Sequence, residues 1–163
     1  MIQFTHVKTD REISIAADLA KTIWTEYFTP MIGEKQVSYM LEKMQSFGAM
    51  KQQVTDGYHY FLIQNKIESI GYICVKPGDN GLFLSKLYLL NQERGKGTGR
   101  QALGFIEKKA REFGKRKIWL TVNKGNHGTI EAYKKWGFKI VDSPVTDIGG
   151  GFVMDDYKME KAV

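Results

Sequence analysis

Apolar and polar residues recur along the chain with two different periods, which predict a fold that mixes helices and strands. Apolar residues recur about every four positions over residues 12–28, the pattern of an amphipathic helix, and Pro30 ends that helix. A second helical pattern covers residues 37–47. Two helices are therefore predicted before Gly48, and both are expected to cover one face of a sheet.

Strand patterns fill the middle of the chain. Aromatic and β-branched runs at residues 58–64 and 69–75 are joined by a short polar turn, which predicts a hairpin. Residues 82–90 are apolar on both alternating faces, as in a central strand that is covered on both sides. A fourth strand is predicted at residues 117–122.

The second half of the chain predicts two more helices and two late strands. Residues 97–113 have helical spacing, and Gly114 is placed to end that helix in a left-handed cap. Asn126 is expected to be the N-cap of the next helix, which Gly137 closes. Strands at residues 138–141 and 152–159 follow, and the second is expected to be an exposed edge available for homodimer pairing.

This order of elements predicts a mixed α/β fold with a parallel crossover between residues 82–90 and 117–122. The length of 163 residues and the absence of a linker-like stretch predict a single domain over residues 1–163. No apolar run is long enough to cross a bilayer, and the first residues lack the order of a secretory signal, so a cytoplasmic protein is expected. Cys74 is the only cysteine, which excludes an internal disulfide or a thiolate metal cluster and indicates a buried thiol.

The net charge of +6 is concentrated in one segment. Nine basic and three acidic residues lie between Glu93 and Lys117, so this segment carries the whole excess. A solvated helix face and a site for a polyanion both explain such a segment. The glycines within it favour the polyanion.

Residues 94–100, which we call the glycine loop, lie between a predicted buried strand and a predicted helix start. Three glycines remove side chains that would keep a ligand from the backbone, so successive N–H groups can converge on phosphate oxygens. The helix start adds unpaired N–H groups and its positive dipole end. The sequence therefore predicts a pyrophosphate site formed by Arg94, Gly95, Lys96, Gly97, Thr98, Gly99 and Arg100.

Two other phosphate-loop classes fit the sequence less well. The nucleoside-triphosphate pattern G-x-x-x-x-G-K-[ST] is absent. Residues 97–102 satisfy the dinucleotide pattern G-x-G-x-x-A, but Asn123 rather than an acidic residue follows the next strand, and too little chain remains for a doubly wound sheet.

Residues 94–99 match the R/Q-x-x-G-x-G/A signature of the GNAT (Gcn5-related N-acetyltransferase) family. Asn126, Ala132-Tyr133 and Gly137-Phe138 resemble the family's second block, although Thr129 stands where alanine is common. The resemblance implies a central, mixed and mostly antiparallel twisted sheet with a splayed parallel pair, flanked by about four helices. It also implies an N-acetyltransferase that uses acetyl-CoA and no metal.

The resemblance assigns further roles. The loop would hold the coenzyme A pyrophosphate, and the backbone of Leu87, Tyr88 and Leu89 would pair with the pantetheine amides, which Asn126 would also bind. Tyr133 would lie near the thioester sulfur and protonate the departing thiolate, although a packed helix aromatic also explains it. The base that deprotonates the acceptor amine is left open among Glu26, Tyr27, His59 and His127, because Ser85 and Lys86 stand on the strand where many relatives have a glutamate.

The acceptor is the least defined part of the prediction. Residues 24–30 and 37–41 resemble a bacterial subgroup that includes spermine/spermidine-type acetyltransferases, which implies a polyamine-like small molecule as acceptor, with a peptide amine as the other candidate. Four carboxylates could bind a polyamine: Glu26, Glu34, Asp155 and Asp156. The alternatives are a non-catalytic acyl-CoA-binding regulator and, with no supporting motif, a nucleic-acid-binding module.

Overall fold

The computed structural model describes residues 1–163, which form eight strands and six α-helices. The strands are β1 (Ile2–His6), β2 (His59–Asn65), β3 (Glu68–Gly78), β4 (Gly81–Leu89), β5 (Lys117–Asn123), β6 (Lys139–Asp142), β7 (Val145–Gly149) and β8 (Phe152–Ala162). The helices are α1 (Asp10–Tyr27), α2 (Thr29–Ile32), α3 (Glu34–Met44), α4 (Phe47–Thr55), α5 (Thr98–Glu112) and α6 (His127–Lys135). One 3-10 turn, Asn91–Glu93, joins β4 to the glycine loop.

The strands form one mixed sheet in the order β1-β2-β3-β4-β5-β8-β6, and β7 pairs with the first part of β8. Every neighbouring pair is antiparallel except β4 and β5, which are parallel. The predicted mixed α/β fold with one parallel crossover is therefore confirmed.

Each face of the sheet has its own apolar core. On one face α1, α3 and α4 pack against alternating residues of β2 and β3, including Tyr60, Tyr72 and Cys74. On the other face α5 and α6 pack against the intervening residues, such as Ile63 and Ile73. The first helices are confirmed on one face, and the Cys74 thiol is confirmed as buried.

A β-bulge in β4 changes which face its side chains reach. Leu84 pairs with Val75 and Lys86 pairs with Cys74, so Ser85 has no partner on β3. Without the extra residue Leu84 and Lys86 would share a face, but Leu84 packs in the α5 core while the Lys86 amine contacts the α3–α4 turn. The bulge therefore directs a lysine into the layer that holds α1, α3 and α4.

The region before β2 contains four helices, more than its apolar pattern indicates. Pro30 does not simply end α1; it lies in the first turn of the short α2, where a residue without an N–H is tolerated. Ser46 begins another helix, because its hydroxyl accepts a hydrogen bond from the Ala49 N–H at 3.2 Å. The prediction of two helices before Gly48 is wrong, and α4 runs through that glycine.

The predicted edge at residues 152–159 is wrong for residues 156–159, which pair with β5 and are followed on the other side by β6. The sequence pattern missed β1 and β7, and β7 pairs with the first part of β8 while β5 and β6 flank the rest. The edge strands of the sheet are β1 on one side and β6 and β7 on the other, since β6 and β7 each pair with β8 alone. No helix of the chain is both long and apolar enough to cross a membrane.

Gly71 fixes how closely β3 approaches β4, and its replacement tests that contact. A Cβ at this position would lie 2.3 Å from the carbonyl oxygen of Tyr88. We expect Gly71→Ala to lower the free energy of unfolding by roughly 1–3 kcal/mol, because the strands must move apart. Gly104→Ala on the exposed face of α5, where a Cβ meets nothing within 4 Å, should instead raise it by about 0.5–1 kcal/mol. Urea unfolding measures both; equal stability of Gly71→Ala and the unmodified chain would contradict the contact.

Candidate active site

The parallel strands β4 and β5 pair over only two residue pairs, Leu82 with Ile118 and Phe83 with Trp119. Beyond these pairs the strands diverge and leave a cavity of about 310 Å³, which we call the main cavity. Residues 83–88 of β4 and 120–123 of β5 line its two walls, and residues of β8 and of every helix except α5 also line it. The sheet is thus open at its centre, where the backbone of β4 has no strand partner on the β5 side.

The glycine loop is open and rich in unpaired donors. Gly95 and Gly97 have φ angles of 76° and 83°, which favour glycine, and a Cβ on either would meet nothing within 4 Å. Gln101 is the first residue of this region whose N–H bonds to a preceding helical carbonyl, that of Gly97, at 3.2 Å. The six N–H groups of residues 95–100 therefore have no acceptor within the chain.

Gly99 has a different role from the one predicted for all three glycines. A Cβ at Gly99 would lie 3.0 Å from the ring of Trp136, which follows α6. This glycine allows α5 and Trp136 to pack closely, so its structural reason is packing as well as access to the backbone.

The three cations of the glycine loop lie at the protein surface beside other groups. The guanidinium carbon of Arg94 lies 3.9 Å from the centre of the Tyr27 ring. Lys96 pairs with Glu93 at 3.6 Å, and Arg100 pairs with Glu107 at 3.5 Å. Exposed pairs of this kind contribute about 0–1 kcal/mol, so an arriving polyanion can compete for these cations.

Tyr133 extends from α6 into the main cavity and is 6% exposed. Its ring packs edge-on against Trp136 and Phe138, but no protein group hydrogen-bonds to its hydroxyl. Burial raises the pKa of this phenol above its ordinary value, so the hydroxyl stays protonated at neutral pH. Tyr133 is thus both a packed aromatic and a free proton donor within the cavity.

Asn126 and Tyr27 meet between the main cavity and a second, smaller one. Asn126 precedes α6 as predicted, but its side chain does not cap that helix; its Oδ1 accepts a hydrogen bond from the Tyr27 hydroxyl. Tyr27 also lines a side cavity of about 120 Å³, together with Glu26, Leu89 and Arg94. The Tyr27–Asn126 contact therefore separates the side cavity, on the glycine-loop side, from the main cavity.

The other predicted residues divide between the two cavities. Leu87 and Tyr88 line the main cavity, whereas Leu89 and the exposed Glu26 line the side cavity. His59 and His127 line neither. Both histidines therefore lie outside the two cavities that contain the other predicted site residues.

Lys86 and Asp156 are the only charged side chains that line the main cavity, and each is 5% exposed. Lys86 donates to the Met44 carbonyl at 2.6 Å, to Gln53 Oε1 at 3.0 Å and to the Tyr60 hydroxyl. Burial lowers the pKa of Lys86 to about 8. Burial, with the nearby charge of Asp155, raises the pKa of Asp156 to about 6.

Sequence patterns gave neither residue a role in catalysis. The orientation of Lys86 depends on the β4 bulge, and no residue type in the sequence indicates that bulge. Asp156 was one of four carboxylates considered for an acceptor, and it alone lines the main cavity. The register of β8 beside β5, in which Asp156 pairs with Asn123, could have revealed it.

The family model of the acetyltransferase (GNAT) family matches residues 18–138. This chain belongs to the GNAT family. An uncharacterized N-acetyltransferase of Mycobacterium tuberculosis is 26% identical to this chain over 113 residues, which cover 68% of this chain and 72% of the relative. The match confirms an acetyltransferase, and the relative's name agrees with the N-acetyltransferase type.

Solved structures share its fold. The PaiA N-acetyltransferase of Thermoplasma acidophilum, in complex with coenzyme A, superposes with a TM-score of 0.83 at 21% identity, covering 100% of this chain and 99% of the other. A GNAT family acetyltransferase of Elizabethkingia anophelis with acetyl-CoA bound gives a TM-score of 0.59 at 19% identity, covering 70% and 82%. These likenesses confirm the predicted GNAT fold, with six helices instead of about four. The spermine/spermidine-type subgroup is not confirmed and stays a prediction.

Proposed function

We propose that this acetyltransferase moves an acetyl group from acetyl-CoA to a primary amine, and that residues 1–163 act as one domain. The main cavity between the diverging β4 and β5 carries the proposal, because it brings Tyr133, the open edge of β4 and buried charged groups to one place. The acceptor is a small-molecule amine or a peptide amine. The predicted cytoplasmic location and homodimer stay predictions.

The glycine loop is proposed to bind the coenzyme pyrophosphate. Six consecutive N–H groups without acceptors, followed by the positive end of the fifteen-residue α5, favour a diphosphate. Arg94, Lys96 and Arg100 are close enough in sequence to neutralise it. The coenzyme A bound in the Thermoplasma acidophilum structure of the same fold supports this assignment.

The pantetheine arm is proposed to run along β4. Past Phe83 the β5 side of β4 lacks strand hydrogen bonds, so the backbone at Leu87, Tyr88 and Leu89 can pair with the arm's amides. Asn126 keeps its amide N–H₂ for the same ligand while its Oδ1 accepts from Tyr27. An arm placed along this edge would bring the thioester towards Tyr133.

Tyr133 is proposed as the acid that protonates the departing thiolate. Its hydroxyl has no protein partner, and its raised pKa keeps it protonated at neutral pH, so it can donate its proton to the sulfur as the C–S bond breaks. The predicted bases Glu26 and Tyr27 lie at the side cavity, on the loop side of Asn126. Their assignment stays a prediction.

The two alternative functions gain no support. A regulator that only binds acyl-CoA does not need a free buried hydroxyl at Tyr133. The family matched by residues 18–138 is one of acetyltransferases, and no nucleic-acid-binding motif accompanies the basic segment.

Gly97→Glu tests the glycine loop. A carboxylate on a residue with a φ of 83° would repel the pyrophosphate and strain the loop, so coenzyme A binding should be lost in calorimetry. Gly114→Glu is the matched control, because Gly114 also has a positive φ, 71°, and open space around it, at the far end of α5. Equal coenzyme affinity of the two variants would overturn the loop assignment.

Tyr133→Phe tests the acid. The variant keeps the ring contacts but loses the proton donor, so kcat should fall by roughly 10²-fold or more while acetyl-CoA affinity changes little. Tyr157→Phe, which removes a hydroxyl outside both cavities, should retain the full kcat. Turnover is followed by thiol release from acetyl-CoA with a set of amines; an unaltered kcat in Tyr133→Phe would remove it from the mechanism.

A further inference from the structure

Asp156 is the only carboxylate that lines the main cavity, although several acidic residues lie nearby. Asp155, its neighbour on β8, is exposed and pairs with Lys124 at 2.9 Å. Glu26 lines the side cavity, and Glu34 is exposed at the start of α3. An ammonium group that enters the main cavity thus meets one carboxylate.

That carboxylate is available to a ligand. Asp156 forms no ion pair, because the neighbouring Lys124 is engaged by Asp155. Its backbone is fixed on both sides: its N–H bonds to the Pro144 carbonyl at 3.0 Å, and it lies opposite Asn123 in the β5–β8 register. The Thr121 side chain hydrogen-bonds to the carboxylate and lowers its pKa, but no cation pairs with it. A buried carboxylate without a cation is unfavourable, which is a reason to expect a positively charged ligand there.

The rest of the lining limits how many charges the ligand can carry. Lys86 is the other charged lining residue, and its amine donates to three protein oxygens. A second ammonium would therefore meet a like charge and no second carboxylate. The rest of the lining is mostly apolar, with Trp24, Phe28 and Met154 among its members.

We propose that Asp156 is the base that binds and deprotonates the acceptor amine, and that the acceptor carries a single ammonium group on an apolar body. This inference rests on the proposed acetyl transfer and names the base and the substrate class of the same cavity. Asp156 is a catalytic residue in this account because its carboxylate contacts the reacting nitrogen.

The proposed step balances in atoms and charge. Asp156 takes one proton from the ammonium group, and the neutral amine attacks the thioester carbonyl carbon to form the new C–N bond. The C–S bond then breaks, and Tyr133 gives its proton to the sulfur. The nitrogen loses a second proton when the amide forms, and this proton returns the Tyr133 phenolate to its hydroxyl form. One proton is therefore released overall, from Asp156 to water.

The pH profile of kcat/KM separates Asp156 from a merely structural residue. The titratable or charged groups around its carboxylate are Asp155 on β8, Lys124 after β5, Tyr88 on β4 and Tyr133 on α6; no charged residue of α1 or α3 lines the cavity. Because a base must be ionised, the rate should rise as pH passes through about 6, the pKa of Asp156.

Two matched variants test this assignment with hexylamine as the acceptor. Asp156→Asn should lower kcat/KM by roughly 10²-fold or more and abolish the rise near pH 6. Asp155→Asn makes the same chemical change one residue away and should keep the maximal rate. It should also move the rise to lower pH, because the Asp155 charge helps to raise the pKa of Asp156.

The substrate class is tested by two acceptors that have the same six-carbon chain. Hexylamine and 1,6-diaminohexane differ by one ammonium group, and hexylamine should have a kcat/KM higher by about tenfold or more, since a like charge would face the second group. An equal or better diamine would overturn the single-charge class.

Two controls keep a loss of activity interpretable. Coenzyme A affinity should be the same in Asp156→Asn and the unmodified chain. The folded pKa of Asp156 is above the unfolded value of about 3.9, so its ionised form costs stability above pH 6 and this cost vanishes below about pH 4. Asp156→Asn should therefore unfold at the same or a higher temperature at pH 7.5.

The outcomes distinguish the two proposals. If the unmodified chain acetylates no amine, the proposed function fails and the base assignment fails with it. If it acetylates hexylamine and Asp156→Asn retains both the rate and the rise near pH 6, acetyl transfer stands and Asp156 is not the base.

Discussion

The short contact between the parallel strands β4 and β5 is the constraint on which the active site depends. Two residue pairs hold the strands together at one end, and the bulge at Ser85 begins directly after them. A bulge bends its strand and increases its twist, so β4 turns away from β5 instead of continuing the ladder. The same local change opens the main cavity, exposes one edge of β4 and moves Lys86 to the opposite face.

The two sides of that opening differ in charge. At the glycine loop, unpaired N–H groups and exposed cations favour an anion, whereas the β8 wall presents the buried Asp156 and favours a cation. Asn126, at the start of α6, and Tyr133, on that helix, line the same cavity as Asp156. An anionic donor and a cationic acceptor would therefore approach the middle of the sheet from regions of opposite charge.

The sequence allowed the elements with strong local patterns to be predicted. The central strands, α5, the glycine loop and the position of Tyr133 follow from apolar runs, glycines and one family signature. The bulge at Ser85 could not be predicted, because it depends on pairing with β3 rather than on the serine itself. Asp156 was missed as a base for a similar reason: only the register of β8, and the unpredicted β7 beside it, place its carboxylate in the cavity.

Amide NMR of the labelled protein during a coenzyme A titration tests the central claim most directly. If the open β4–β5 junction and the glycine loop hold the coenzyme, the N–H signals of residues 95–100 and 87–89 should shift together and saturate at one equivalent. Shifts confined to the basic face of α5, around Lys108 and Arg111, with the loop and β4 signals unchanged, would contradict the account.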